Sequence, residues 1–259
     1  MKTPRLLSAV LCPLLFAVLA ARGEDVAAVI ARARAALGTD DAINQVQSVH
    51  YTGTAEVVEA AAAKDAKPSR YTLDVIFQKP YRQLEAITSD GASGPVRTET
   101  TGLNGFEAWQ RLDEKTNPPT PYRWALLPAD QIRRLRAITW ANLGFYHDLE
   151  VAGVTIEDGG ETVLDGQPCR KLTFNHGDGI FFTRYFDLKS GLLLLTEIEN
   201  GTSIREVGSV IVNGLRFPQK VVTVNQPKGK LESTMTIVFD KITVNETFDP
   251  ARFSVPMGK

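Results

Sequence analysis

From His50 onward the hydrophobic positions of the chain follow a period of two, which predicts β-strands. In the segment RYTLDVIFQKP, residues 70–80, hydrophobic side chains alternate with polar ones, and Ile76 is the exception on the polar side. Such alternation is typical of an antiparallel strand with one buried face. Asp-Gly and Asn-Gly pairs recur between the later hydrophobic runs, with no helical pattern between them. The pattern therefore predicts an antiparallel meander of about ten or eleven strands, large enough to curl.

Three segments follow helical spacing instead. In residues 26–37 hydrophobic side chains recur every three or four positions, between a potential N-cap at Asp25 and a stop at Gly38. A second, shorter helical pattern lies in residues 40–49, and a third, ADQIRRLRAITWANLG, occupies residues 129–144. Because a curled sheet must bury its inner face, these N-terminal and central helices are predicted to cover that face.

The third helix has a hydrophobic arc and a basic side. At about 100° per residue, the arc contains Ile132, Leu135, Ile138 and Leu143. Trp140 lies outside the arc, beside Arg133 and Arg136. Two interpretations follow: either the helix packs on two sides, or it is a lid whose Trp140 side contacts a ligand or a partner.

The first 23 residues have the composition of a secretory signal peptide. The cationic MKTPR precedes a hydrophobic run too short for a membrane span, and the tripeptide ARG at residues 21–23 offers a small-x-small cleavage site. We therefore expect residues 1–23 to be removed and residues 24–259 to form one exported, periplasmic domain. Loss of Cys12 with the signal peptide would leave Cys169 alone, so no intrachain disulfide could form.

Charge and motifs argue against several classes of function. The sequence has 29 Lys and Arg against 30 Asp and Glu, which gives no general attraction for nucleic acid or for an anionic membrane. It contains no glycine-rich phosphate loop, no GxSxG or HExxH motif, and no nucleophile with an obvious base. We therefore expect a protein that is not an enzyme and has no cofactor.

A metal site is not supported by the spacing of candidate ligands. His147 with Asp148 is one candidate ligand pair, and His176 with Asp178 is another. No short paired spacing of the kind that metal sites use connects them, so we predict no metal site. Cys169 lies in a predicted strand with no nearby histidine and is interpreted as a packed residue rather than a reactive thiol.

The order of several short motifs carries a family resemblance. The N-terminal helix is followed by SVHYTGTAEV, LDVIFQKPYRQLEAI and GLNGFEAW. The second half continues with LDGQPCRKLTF, GIFFTRYFDLKSGLLLLTEIE and NETFDPARFSVP. Over most of residues 25–256 this order resembles the LolA-like family of periplasmic outer-membrane lipoprotein carriers and sorting proteins.

The resemblance implies a fold and a function. The expected fold is mainly β, an unclosed antiparallel β-barrel with helices over its concave face and a hydrophobic cavity for acyl chains. In the family an arginine before the proline of one strand helps to hold the lid shut, and Lys79 before Pro80 takes that position here. Lysine lacks the guanidinium fork, so the same latch through several carbonyls is not expected.

The function implied is a monomeric, non-catalytic carrier of lipid or of lipoprotein acyl chains, with membrane-protein donors or acceptors as partners. The alternative is an envelope sensor or protein–protein interaction module with a filled interior. The hydrophobic pattern alone leaves the cavity and the filled core both open.

The predicted ligand-binding residues come from strand faces, from the third helix and from the family position. They are Tyr71, Leu73, Val75, Phe77, Trp109, Met235, Ile237 and Phe239 on strands, Ile132, Leu135 and Trp140 on the helix, and Lys79. Alternation identifies residues that share a face, but it does not tell which face is inside.

Overall fold

The computed structural model describes residues 25–60, 67–92, 94–226 and 232–256. The predicted signal peptide, residues 1–23, lies outside the described residues together with Cys12. Within the described ranges the helices are α1 (Val26–Leu37), α2 (Asp40–Asn44) and α3 (Ala129–Leu143), with a C-terminal 3₁₀-helix at Pro250–Phe253. The strands are β1 (Ser48–Glu59), β2 (Ser69–Gln78), β3 (Arg82–Ser89), β4 (Arg97–Asn104), β5 (Glu107–Glu114), β6 (Arg123–Leu126), β7 (Thr155–Leu164), β8 (Gln167–Asn175), β9 (Phe181–Asp187), β10 (Leu193–Ile198), β11 (Ser203–Val207), β12 (Val210–Val212), β13 (Leu215–Phe217), β14 (Lys220–Asn225) and β15 (Ser233–Val244).

Thirteen of these strands form one antiparallel sheet. Their order is β6-β5-β4-β3-β2-β1-β15-β14-β11-β10-β9-β8-β7, and β12 with β13 forms a separate hairpin. In the described part of the chain β6 and β7 are the two edges and do not pair with each other. The unclosed antiparallel architecture with covering helices is therefore confirmed.

The predicted number of about ten or eleven strands is wrong, because turns divide three of the predicted runs. Asp165 and Gly166, both with positive φ, separate β7 from β8. Gly208, at φ 70°, lies between β11 and β12, and Pro218 follows β13, where its missing N–H cannot join a ladder. The short edge strand β6 was not predicted.

The α-helices lie where helical spacing predicts them. Asp25 precedes α1 in an extended conformation, although its side chain makes no capping hydrogen bond. The Thr39 hydroxyl caps α2 by accepting from the Ala42 N–H at 3.2 Å. This helix ends at Asn44, before the end of the predicted segment, because β1 begins at Ser48. None of the helices in the described ranges combines the length and hydrophobicity needed to span a membrane.

All three helices pack on the same face of the sheet, which we call the concave face. Beneath α2 and the end of α3 lies a cluster of Ile43, Val46, Val49, Phe77, Leu143, Phe145, Leu215, Phe217 and Val244. Beneath α1 lies a second cluster, formed by Val29, Ile30, Ala33, Val154, Leu172, Phe174 and Phe186. The two ends of the concave face are thus filled by ordinary hydrophobic packing.

The middle of α3 contacts the sheet through small and polar residues. Ala137 is 6% exposed, and Thr139 is fully buried. The Thr139 hydroxyl lies 3.0 Å from Oε1 of Gln83 on β3, and 2.8 Å from the carbonyl oxygen of Leu135. Small side chains and a satisfied hydroxyl allow the helix to approach the sheet closely without an unpaired polar group.

The opposite, convex face carries its own hydrophobic cluster. Ile76, Leu84, Trp109, Phe248 and Phe253 pack together there, and the C-terminal segment covers them. The Trp109 indole N–H donates to the Phe253 carbonyl at 2.9 Å. Ile76, the exception in the alternating pattern of β2, is therefore buried on a second covered face.

We expect Phe253→Ala to lower the free energy of unfolding by about 3–5 kcal/mol, because it removes a fully buried ring and leaves a cavity. Equilibrium urea unfolding followed by tryptophan fluorescence and circular dichroism measures this loss. The control is Val151→Ala, since Val151 is 87% exposed and should change stability by less than about 0.5 kcal/mol. A loss for Phe253→Ala as small as that of the control would show that the C-terminal segment does not seal the convex face.

Candidate functional site

Seven of the predicted ligand-binding residues share the concave face. The register pairs Ala55 of β1 with both Tyr71 and Ile237, and Gly53 with both Leu73 and Phe239. The seven residues are Tyr71, Leu73, Val75 and Phe77 on β2, and Met235, Ile237 and Phe239 on β15. They form two rows of large side chains on either side of β1. Between the rows β1 contributes the small Gly53 and Ala55, with the larger Tyr51 and Val57 at the two ends. We call this arrangement the β1 groove.

The small residues at the floor of the β1 groove have a structural basis. The pairing of β1 with β15 shifts between Thr52 and Gly53, which marks a bulge. A Cβ atom at Gly53 would lie 2.2 Å from the Val238 carbonyl oxygen, so the close approach of the two backbones requires glycine. Ala55 is 4% exposed and continues the narrow floor.

The β1 groove is filled at one end and accessible at the other. Phe77 and Val75 pack into the cluster beneath α2, and Leu73 is 6% exposed. Tyr71 and Met235, at the far end, are only half-buried. The other members, Ile237 and Phe239, are half-buried as well. A filled core and a partly open hydrophobic surface therefore exist on the same face.

The structure does not bring Trp109 to the β1 groove, so its predicted place in that set was wrong. On β5, Ala108 pairs with Leu103 and shares the concave face, whereas Trp109 points into the convex cluster. At Gly102, which pairs with Trp109, a Cβ atom would lie 2.2 Å from the indole ring. The ring thus lies flat over the sheet on the outside.

The predicted α3 residues have mixed positions. Ile132 and Leu135 are half-buried. Trp140 packs against the cluster beneath α1, and its ring edge contacts His176 with centroids 5.8 Å apart. Ile138 packs on the other side, against the cluster beneath α2. The structure therefore supports a helix packed on two sides, and Trp140 belongs to that packing.

One arginine holds α3 to the first half of the sheet. The Arg136 guanidinium stacks 3.8 Å from the ring centroid of Tyr81 and 4.0 Å from that of Phe106. It also donates to the Gly105 carbonyl at 2.7 Å. Tyr81 follows β2, while Gly105 and Phe106 connect β4 to β5. Arg136 therefore joins the helix to two turns at once.

Two further arginines hold α3 to the second half of the sheet. Arg133 pairs with Asp178 at 2.8 Å in the turn between β8 and β9. Arg134 pairs with Glu199, which follows β10. The basic residues of α3 thus bridge the two halves of the sheet, an arrangement that its helical pattern alone did not reveal.

Lys79 is not one of these attachments. Its backbone N–H donates to the Gln47 carbonyl at 2.8 Å. Burial lowers the pKa of the Lys79 ammonium, and the nearby Asp148 carboxylate acts in the opposite direction. Arginines on α3 attach that helix to the sheet, whereas Lys79 lies in the turn that follows β2.

Sequence reasoning missed a charged residue on the second half of the concave face. Arg184 on β9 lies in phase with Phe182 and Phe186 and is 8% exposed. Its guanidinium carbon is 5.0 Å from the Phe174 ring centroid and 5.1 Å from that of Tyr146. Within the described residues, its Nε has no hydrogen-bond partner. The signal was present in FFTRYFD, where an arginine occupies a hydrophobic position of the alternation.

Near Arg184 a cavity of about 490 Å³ opens between α1 and the strands β10, β11 and β13. Its lining includes Ala33, Leu37, Tyr146, Phe186, Leu193, Glu206 and Phe217. Burial raises the pKa of the Glu206 carboxyl, and the Arg184 charge acts against this. Burial likewise raises the pKa of the Tyr146 hydroxyl.

Other titratable groups also face inward. Glu85 on β3 pairs with Val75 and therefore shares its face, and burial raises the pKa of the Glu85 carboxyl. Burial also raises the pKa of Tyr51, with Glu206 adding to the effect. The concave face is consequently a hydrophobic surface with a few isolated ionisable groups.

The residues considered as metal ligands or as a thiol have ordinary packing roles. His147 pairs with Asp148 at 2.7 Å on the surface. His176 packs between Trp140 and Phe182, and Cys169 is fully buried on β8. In the ranges that the structure describes, no three metal-ligating side chains converge.

Comparison with known proteins identifies the fold. No family model matches the sequence, and no curated protein does. The solved structures that match include three at 10% identity. One is a LolA superfamily protein from Nitrosomonas europaea, with a TM-score of 0.56, covering 88% of this chain and 97% of that one. The others are a DUF1329 family protein from Desulfovibrio piger (TM-score 0.53, covering 88% of this chain and 97% of that one) and a putative outer membrane lipoprotein-sorting protein domain from Vibrio parahaemolyticus (TM-score 0.52, covering 86% and 94%). The chain therefore has a LolA-like fold, as its motif order predicted.

We expect the half-buried His176 to make stability sensitive to acid. Burial lowers its pKa to about 4, and repulsion by Arg184 acts in the same direction. Between about pH 6.5 and pH 4 the unfolded chain binds a proton at this residue while the folded protein does not. The free energy of unfolding therefore decreases as the pH is lowered through this range. When the pH is lowered from 7 to 5, we expect the free energy of unfolding of His176→Gln to decrease by about 1–2 kcal/mol less than that of the unsubstituted protein. Urea unfolding at the two pH values measures this difference.

The control for this prediction is Val151→Ala, because Val151 is 87% exposed and has no titratable group. Its unfolding free energy should follow the same pH dependence as that of the unsubstituted protein. If His176→Gln also follows that dependence, the imidazole of His176 is protonated in the folded state and the prediction is wrong.

Proposed function

We propose that this protein is a periplasmic, non-catalytic binding protein that carries a lipid, or the acyl chains of a lipoprotein, on its concave face. The observation that carries the proposal is the β1 groove. Rows of large hydrophobic side chains flank the small Gly53 and Ala55, and the far end of the groove around Tyr71 and Met235 is only half-buried. A narrow floor between two hydrophobic walls matches the shape of an extended acyl chain.

Desolvation supplies the binding energy. Each buried methylene contributes about 0.8 kcal/mol, so a long acyl chain gains of order 10 kcal/mol before the losses of association. Those losses include translational freedom and the ordering of the flexible chain. The remaining several kcal/mol are enough for a carrier that must also release its cargo.

The helix α3 is the cover in this proposal. Its contacts to the second half of the sheet include the pair of Arg133 with Asp178, whose side chains are 48% and 63% exposed. Exposed ion pairs contribute less than about 1 kcal/mol each, so this pair can break at small cost. Release of that side, with Arg136 still stacked on Tyr81, would open the groove while the helix stays attached.

Location and role have separate support. The predicted signal peptide supports export to the periplasm, and a solved structure of the same fold is described as a putative outer membrane lipoprotein-sorting protein domain. The absence of a nucleophile-and-base motif from the sequence supports a non-catalytic role. Membrane-protein donors or acceptors of the cargo are the partners that such a role requires, and the protein would act as a monomer.

A second candidate is an envelope interaction or sensor module. It is favoured by the edge strand β6, where Trp124 is 41% exposed and Leu126 is 58% exposed. In the described part of the chain the outer side of β6 has no neighbouring strand, so an extended segment of another protein could add to it.

The carrier proposal predicts a co-purifying lipid. Native mass spectrometry of the protein purified from a bacterial periplasm, followed by lipid extraction, should detect bound lipid or lipopeptide. Ile237→Glu should reduce bound lipid about tenfold, because it places a carboxylate against the acyl chain. Val238→Glu is the matched control, since Val238 is 45% exposed and points to the opposite face.

The outcome that contradicts the carrier proposal is equally clear. If no lipid co-purifies and the protein takes up no fluorescent fatty acid, the concave face does not bind acyl chains. Equal lipid content in Ile237→Glu and Val238→Glu would instead move the binding site away from the β1 groove.

A further inference from the structure

Arg184 is a buried cation whose surroundings do not neutralise it. The residue is 8% exposed and lies among the rings of Phe174, Tyr146 and Phe182, and within the described residues no carboxylate forms an ion pair with it. An arginine stays charged at any pH the protein meets, so it cannot relieve its burial by losing a proton. A buried charge without a partner is strongly unfavourable unless another group pairs with it.

Glu206 does not serve as that partner. Among the described residues no oxygen of Glu206 lies within ion-pair distance of the Arg184 guanidinium. Burial also raises the pKa of the Glu206 carboxyl, and the Arg184 charge acts against this. Arg184 therefore retains capacity for an anion.

Tyr146 connects Arg184 to open space. The Arg184 guanidinium carbon lies 5.1 Å from the centroid of the Tyr146 ring, and the hydroxyl of Tyr146 can donate its proton to a further acceptor. Tyr146 also lines the cavity of about 490 Å³, together with Phe186 and Leu193. Two hydrogen-bond donors thus lie at a hydrophobic wall, an arrangement suited to the polar end of an amphiphile.

The same side of the sheet carries both the donors and the β1 groove. Arg184 pairs with Thr196 of β10, which pairs with Ile204 of β11, and Ile204 pairs with Thr223 of β14. Thr223 in turn pairs with Met235, which lies in the β1 groove. One register line across the concave face therefore joins the cation to the predicted acyl-chain site.

We propose that Arg184 and Tyr146 bind the anionic head group, a carboxylate or phosphate, of the amphiphile whose chain lies along the concave face. This inference rests on the proposed carrier function and specifies its cargo: an acidic amphiphile is bound in preference to a neutral one of the same chain length. The Arg184 Nε and the Tyr146 hydroxyl donate to the anion, and the surrounding rings exclude water.

The test compares myristic acid with methyl myristate, which share a chain and differ in charge. Each competes at pH 7.5 with the neutral fluorescent probe N-phenyl-1-naphthylamine bound to the purified protein. The acid should displace the probe at about tenfold lower concentration than the ester, because charge-assisted hydrogen bonds are made only to the acid. Arg184→Met should abolish this preference, and Tyr146→Phe should reduce it.

The matched control is Lys171→Met, which removes a cation from the convex face beside Tyr185 and should leave the preference unchanged. Thermal melting checks the variants. Arg184→Met should melt at the same temperature as the unsubstituted protein or higher, because it removes an unpaired buried charge.

The results distinguish failure of the head-group site from failure of the carrier function. Equal displacement by acid and ester, or an acid preference that persists in folded Arg184→Met, overturns the head-group site while leaving acyl-chain binding intact. Failure of both ligands to displace the probe contradicts the carrier function itself. A melting-temperature rise with inorganic phosphate alone, lost in Arg184→Met, would identify a site for a free anion and also contradict the proposal.

Discussion

The burial of one hydrophobic face of an unclosed sheet is the constraint on which the rest of this structure depends. In the described part of the chain thirteen strands coil without pairing β6 to β7, and α1, α2 and α3 cover the concave face together with the β12–β13 hairpin. Three helices fill the two ends with packed clusters and leave the β1 groove between them partly open. The arginines of α3 follow from the same constraint, because a helix that crosses the opening needs attachment on both sides.

The sequence predicted the fold class and most of the β1 groove for a simple reason. Alternation defines which residues share a strand face, and the turn pairs define neighbouring antiparallel strands. Tyr71 and Ile237 were therefore grouped correctly on one face. Trp109 was not, because alternation in β5 gives two faces of similar character. The segment that buries Trp109 ends at Phe253, far along the chain, and only tertiary structure brings them together.

The partners of the charged residues could not be predicted from the sequence pattern. Arg136 and Arg133 were recognised on α3, but their partners are turns of distant strands, and no local signal connects them. Arg184 did leave a signal, since it occupies a hydrophobic phase of β9. Its neighbour Tyr146, at φ 61° after the end of α3, could not have been placed beside it from sequence, because that placement depends on how the helix crosses the sheet.

If the protein is a carrier as proposed, the polarity of the concave face restricts which ligands it can bind. A wholly hydrophobic cargo that displaced water would leave the Arg184 guanidinium without hydrogen-bond partners, and desolvation of such a charge opposes binding. Glu206 and Glu85, whose pKa values burial raises, can become neutral and so tolerate a dry environment better than an arginine can. Among the inward-facing groups Arg184 therefore imposes the strictest requirement. A long chain for the β1 groove and an anion for Arg184 are both present only in an amphiphile with an acidic end.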